Sequence, residues 1–126
     1  EYQVLNDDFA IIRKTEKEHH LFSSPFYESN PFPKKKRIIL LDRIYFLKQS
    51  NICISLPIDK YEALRQIMPL VLNPLSFIPS TWINFPKSYS KEIGRLMFKA
   101  ARDLSVTTPC FMLKFRKDRS FIQYLP

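Results

Sequence analysis

The sequence predicts an α+β fold: a small antiparallel β-sheet, two packed helices and a C-terminal β-hairpin. Three observations carry that expectation. Short apolar runs of strand length crowd residues 37–56 and recur near the C-terminus. Residues 59–72 and 88–104 instead repeat their apolar positions at helical spacing. The order strands, helix, helix, hairpin groups like elements instead of alternating them. With 126 residues, 45% of them hydrophobic, the chain can bury one core, so a single domain over 1–126 is expected.

Residues 2–14 read as one or two strands, built on Tyr2, Val4 and Leu5 and then Phe9, Ala10, Ile11 and Ile12. Asn6-Asp7-Asp8 between them is turn chemistry. Residues 15–36 are polar, aromatic and proline-punctuated, and are expected to form a surface loop or arm. Three strand-length runs follow: Ile38 to Leu41, Ile44 to Leu47 and Ile52 to Leu56. Gln49-Ser50-Asn51 between the last two reads as a hairpin turn.

Asp59 can cap a helix over 59–72 whose apolar face is Leu64, Ile67, Met68 and Val71, with Pro69 ending or kinking it. The connector 73–86 is rich in proline yet carries Phe77, Ile78, Trp82, Ile83 and Phe85, which suits packing across a core. The second helix, 88–104, takes Ser88 or Ser90 as N-cap and stacks Ile93, Leu96, Met97, Ala100, Ala101 and Leu104 on one face. Phe111, Leu113 and Phe115 then alternate with polar or flexible neighbours. Lys117 to Ser120 turns, and Phe121 to Leu125 returns as the second hairpin strand.

Charge is the strongest functional signal. The net formal charge is +8, and residues 87–126 alone hold nine basic and three acidic side chains. Such asymmetry points to nucleic acid, an acidic protein surface or an anionic membrane as partner. Lys91, Arg95, Lys99 and Arg102 recur at i, i+4, i+8 and i+11, a cationic row opposite the apolar face. Phe98 projects near Lys91 and Lys99, and an aromatic among cations can stack on a base or anchor a protein. Lys114, Arg116, Lys117 and Arg119 surround the expected terminal hairpin. A helix followed by a basic hairpin is also what a winged helix-turn-helix would offer, with the wing against the phosphate backbone. The plainer reading of each feature is a solvated charged face.

The run Lys34-Lys35-Lys36-Arg37 resembles a nuclear localisation signal and could equally touch phosphates. Two cysteines, Cys53 and Cys110, sit in apolar runs and are expected to be buried free thiols, which fits an intracellular, reducing compartment. No apolar run approaches the roughly 18 residues of a membrane span. No signal-peptide pattern opens the chain, and its start at Glu1 points to a processed or excised piece.

Catalysis has little support. His19 and His20 are adjacent, point apart on any regular element, and read as surface histidines; no cysteine or carboxylate cluster completes a metal site. A single glycine cannot build a phosphate-cradling loop. No catalytic residue, metal or cofactor is assigned.

Ile78-Pro79-x-x-Trp82-Ile83, Pro86-x-x-Tyr89-x-x-Glu92-Ile93-x-Arg95-Leu96 and Ala100-Ala101-Arg102-Asp103 resemble a stretch in subunits of the GINS DNA replication complex. In that family a small β-rich domain precedes a helical one, and Leu41 to Tyr45 with Leu56-Pro57 fall where the β-domain would lie. The family continues into long helices where this chain turns to a hairpin, and the first 35 residues have no counterpart. The resemblance implies a nuclear, non-enzymatic scaffold subunit that meets sister subunits through helix faces.

Two functional expectations result, ahead of a third, an enzyme fragment such as a nuclease domain, which the few and scattered carboxylates disfavour. The first is a non-enzymatic, basic nucleic-acid-binding module, for DNA or RNA, of an intracellular nucleoprotein machine. The second is a protein–protein assembly subunit whose basic face meets an acidic partner within a larger complex.

Overall fold

A computed structural model of the chain describes residues 10–22, 38–72 and 87–124, without the side chains of residues 87, 88, 119 and 120. The fold is α+β, as its pattern of strand and helix runs predicts. The chain divides into two compact units, Glu1–Asp42 and Arg43–Pro126.

The first unit holds a three-stranded antiparallel sheet, β1 (Ile11–Thr15), β2 (Glu18–Phe22) and β3 (Ile38–Leu40), in the order β1-β2-β3. Thr15 pairs with Glu18, so Glu16 and Lys17 are the two central residues of a tight hairpin. Glu16 has φ 51°. A positive φ at the first central residue alone is the signature of a type II′ turn, a position that favours glycine. The loop expected over 15–36 therefore starts later: Glu18–Phe22 is a strand. Its composition, Glu-His-His-Leu-Phe, shows weak alternation, but it lies between two partners and gains ladder hydrogen bonds from both. The rest of that loop, 23–36, lies outside the described residues, as do the strand expected over 2–5 and its turn.

His19 and His20 point to opposite faces, as expected, but His19 is only 6% exposed and is not a surface residue. His20 Nδ1 lies 2.8 Å from the Thr15 hydroxyl, with which it shares a hydrogen bond.

The second unit is built on a mixed sheet of β4 (Ile44–Gln49), β5 (Ile54–Pro57) and β6 (Cys110–Phe115), in the order β4-β6-β5. β6 runs parallel to β4 and antiparallel to β5. The turn expected at Gln49-Ser50-Asn51 thus does not close a hairpin. It carries the chain across the end of β6, where Ser50 N–H donates to the Phe115 carbonyl and Arg116 N–H to Cys53 Sγ. β6 is the central strand, so Leu113 has neighbours on both sides and is only 1% exposed.

Helix α1 (Lys60–Ile67) starts where the sequence places it. The Asp59 carboxylate accepts from the Tyr61 and Glu62 N–H groups, filling two of the donors that a helix start leaves open. Those two bonds, the one from Glu62 first, hold the Asp59 carboxyl below its ordinary value. The helix ends at Ile67 and tightens into a 3-10 helix, Met68–Leu70, that contains Pro69. Val71 and Leu72 are outside it, because a proline cannot donate the next helical bond. Ala63 and Ile67 are the buried positions of α1.

Helix α2 (Lys87–Thr107) is longer than the expected 88–104. Ser88 and Ser90 lie within its first turn, so neither stands at the residue before the helix. α2 packs against α1 and the 3-10 helix that follows. Ala101 and Leu104 are buried, and Ile93 and Met97 are half-buried. Leu96 and Ala100 were expected in the core and are exposed instead. At 1.5 Å per residue, α2 is about 31 Å long and α1 about 12 Å, so its partner spans only part of it.

The chain after β6 does not return as a strand. Arg119–Tyr124 is a 3-10 helix, so the C-terminal hairpin is replaced by a strand followed by a helical turn. Phe121 meets Phe115 edge-on, with centroids 5.9 Å apart. This contact folds the segment onto the sheet face that also bears Phe111 and Leu113. Two aromatic anchors at 115 and 121 are satisfied by that contact, and β6 takes its ladder partners from β4 and β5 instead. Among the described residues, no helix is long and apolar enough to cross a membrane.

Candidate nucleic-acid interface

The cationic row of α2 forms because 4-4-3 spacing keeps Lys91, Arg95, Lys99 and Arg102 on one side of a regular helix, opposite Ala101 and Leu104. All four are exposed. Only one of them meets an acid in a described ion pair: Arg95 Nη1 lies 3.8 Å from Glu92 Oε2, one helical turn away. Both side chains are largely exposed, so solvent screens this contact and Arg95 stays available to an external anion. Gly94 stands beside Arg95 with nothing within 4 Å of where its Cβ would be, so the helix surface there is open.

Phe98 is 48% exposed, which leaves its ring accessible beside the row. Val106 also stands exposed on this side of the helix, and Tyr89 and Leu96 are exposed along its N-terminal half. Leaving so much apolar area in water is unfavourable for a helix with a buried alternative.

A second set of cations gathers at the far end of the sheet. Lys114 stands on β6, half-exposed, with exposed Arg116 and Lys117 just beyond it. Arg116 Nε pairs with Asp118 Oδ2 at 3.0 Å, which offsets part of its charge. The backbone of Arg119 enters the terminal 3-10 helix. Among the described residues these cations surround no hairpin tip, so they form no wing there: they lie on the central strand of a sheet, the turn after it and the start of the terminal 3-10 helix.

The register of β4 and β6 adds a residue that sequence reasoning missed. Lys48 pairs with Lys114 across the two parallel strands. Nothing local distinguishes Lys48, which closes an apolar run; only pairing between segments 66 residues apart in sequence reveals it.

Lys34, Lys35, Lys36 and Arg37 lie outside the described residues. So does most of the first GINS-like segment, Ile78 to Pro86; its later letters, from Tyr89 to Asp103, fall on α2. Cys110 is buried, and burial raises its thiol above the ordinary value. Cys53 is half-exposed and not fully buried as expected, because it sits in the turn that crosses the end of β6. Neither cysteine forms a disulfide among the described residues. Among the described residues, no three His, Cys, Asp or Glu side chains gather where they could hold a metal ion.

Comparison with protein-family models, with curated proteins and with solved structures found no match.

Proposed function

We propose that this chain is a non-enzymatic, basic nucleic-acid-binding module of an intracellular nucleoprotein machine, contacting DNA or RNA mainly through phosphates and shape. The observation that carries this reading is the row Lys91, Arg95, Lys99 and Arg102 on α2, four exposed cations with one screened acid among them. A helix that buries Ala101 and Leu104 holds the row fixed, so little order is lost on meeting a phosphate backbone. Phe98, exposed beside the row, is the stacking residue. Lys114, Arg116, Lys117 and Arg119 extend the basic surface beyond β6, and Lys34 to Arg37 add a further patch and the nuclear address. No Asn or Gln stands in the row to read adenine edges, so sequence preference is modest.

The test is the double variant Arg95→Glu, Lys99→Glu, assayed by fluorescence anisotropy with a labelled oligonucleotide. The expected result is a large loss of affinity with the domain still folded by circular dichroism, because both side chains are in solvent and only the screened Arg95–Glu92 contact is lost. Retained affinity would rule the reading out.

One observation favours a second reading, a GINS-like assembly subunit. Tyr89, Leu96 and Val106 are exposed on the same helix, and large apolar side chains held in water suit a protein partner. On this reading the cations meet an acidic surface, and the wild-type chain is indifferent to DNA and RNA even at low salt.

A further inference from the structure

We infer that Lys48 and Lys114 form a clamp for a single phosphate group at the end of the mixed sheet. The inference rests on the nucleic-acid reading above for the choice of phosphate among anions.

The argument begins with register. Lys48 of β4 and Lys114 of β6 are direct partners in a parallel ladder. Partners in adjacent strands project to the same face, and the strands lie about 4.8 Å apart. Two ammonium groups are therefore held on neighbouring stems, one of them on the central strand and half-buried. Like charges placed directly across a ladder are destabilising. The described ion pairs are Arg65 with Glu62, Arg95 with Glu92 and Arg116 with Asp118, and neither lysine takes part in any of them. On the other side of Lys114 the ladder partner is Ile54, which offers no counter-charge. The next pair down the same face is Phe46 with Met112, so the lysine pair caps an apolar strip. Lys48 is exposed and Lys114 half-buried, so solvent screens part of the repulsion while leaving both ammonium groups accessible to an anion.

The nearest cations in sequence, Arg116 and Lys117, keep the neighbourhood positive after Asp118 is counted. A phosphate, like a carboxylate, has oxygens enough to accept from both ammonium groups at once; the nucleic-acid reading above is what favours the phosphate. The pair thus carries the two marks of a ligand site: a cost in the free protein and a ligand chemistry that removes it. The phosphate belongs either to a nucleic-acid backbone or to a free phosphate ion, and the two sources are separable.

The test uses the full chain and the variants Lys48→Gln, Lys114→Gln and both together. Three results are expected. Each variant melts at a higher temperature than wild type when no phosphate is present, because the repulsion is gone. Each binds a labelled oligonucleotide more weakly, with a salt slope shallower by about one unit. The double variant loses no more than either single one, because both lysines hold the same phosphate. If oligonucleotide affinity is unchanged while Arg95→Glu, Lys99→Glu abolishes it, the clamp is overturned and the helix reading stands. If the wild type binds no oligonucleotide, the helix reading fails. Inorganic phosphate titrated against the backbone amides then decides the clamp: shifts at Lys48 and Lys114 that vanish in the double variant uphold it, and no shifts overturn it. A lower melting temperature in every variant would also overturn it, since the lysines would then be stabilising the fold.

Discussion

Tyr45 of β4 stacks on Phe111 of β6, with ring centroids 5.4 Å apart and planes inclined by 28°. The parallel register makes the two residues direct partners, so the contact ties the first strand of the unit to its last. The segments it joins are 66 residues apart in sequence, and closing such a loop is costly in chain entropy. Replacing Tyr45 and Phe111 by alanine, singly and together, should give a coupling of about 0.5–1.5 kcal/mol in a double-mutant cycle of urea unfolding. Additive losses would show that the stack contributes nothing beyond buried area.

Two leucines on one face of the same sheet should behave oppositely. Leu113 is 1% exposed on the central strand, whereas Leu47, its ladder partner on the edge strand, is 68% exposed. Leu113→Ala should cost about 2–5 kcal/mol through lost burial and the cavity left behind. Leu47→Ala should change stability by less than about 0.5 kcal/mol. Equal costs would mean that Leu47 is covered in solution.

The hairpin turn at Glu16 is strained. Its φ of 51° is a conformation that β-carbon sterics disfavour. Glu16→Gly should stabilise the β1–β2 hairpin by up to about 1 kcal/mol, the relief of strain exceeding the extra freedom of glycine in the unfolded chain. Amide hydrogen exchange along Ile11–Thr15 and Glu18–Phe22 reads this directly, and faster exchange in the variant would contradict it.

The cap of α1 should titrate. Hydrogen bonds from the Glu62 and Tyr61 N–H groups hold the folded Asp59 carboxyl below its ordinary value. A carboxyl depressed on folding contributes its stabilisation in full above the unfolded pKa and loses it as pH falls through the folded one. Protection of the first-turn amides of α1 should therefore be constant near neutrality and fall in acid. Asp59→Asn retains an acceptor without a charge, so its α1 protection should fall less in acid than that of wild type. The remaining fall comes from Glu62, which hydrogen bonds from Gln66 and Arg65 also hold low. A wild-type fall no larger than that of Asp59→Asn would refute the assignment.

Local signals in the sequence account for the helices and most strands, and non-local pairing accounts for what they miss. Asp59 before an amphipathic run is a complete helix signal, and α1 begins there. The alternation in Phe111 to Phe115 correctly marks a strand, but the same reasoning makes 121–125 its hairpin partner. β6 is instead paired by β4 and β5, from which α1 and α2 separate it, and no turn residue announces that. β2 is missed because its strand character comes from lying between two partners and not from its own composition. The candidate site divides in the same way. The row on α2 follows from 4-4-3 spacing within one helix, while Lys48 joins Lys114 only through parallel register.

The central claim is that the exposed row Lys91, Arg95, Lys99 and Arg102 meets phosphates, and the dependence of oligonucleotide affinity on salt tests it most directly. If the four cations each neutralise one phosphate, the row alone contributes about −3 to −4 to the slope of log affinity against log salt, and the further basic residues steepen it beyond that. The slope should become shallower by about two units in Arg95→Glu, Lys99→Glu. Affinity that is absent at low salt, or a slope that the double variant leaves unchanged, would contradict the account.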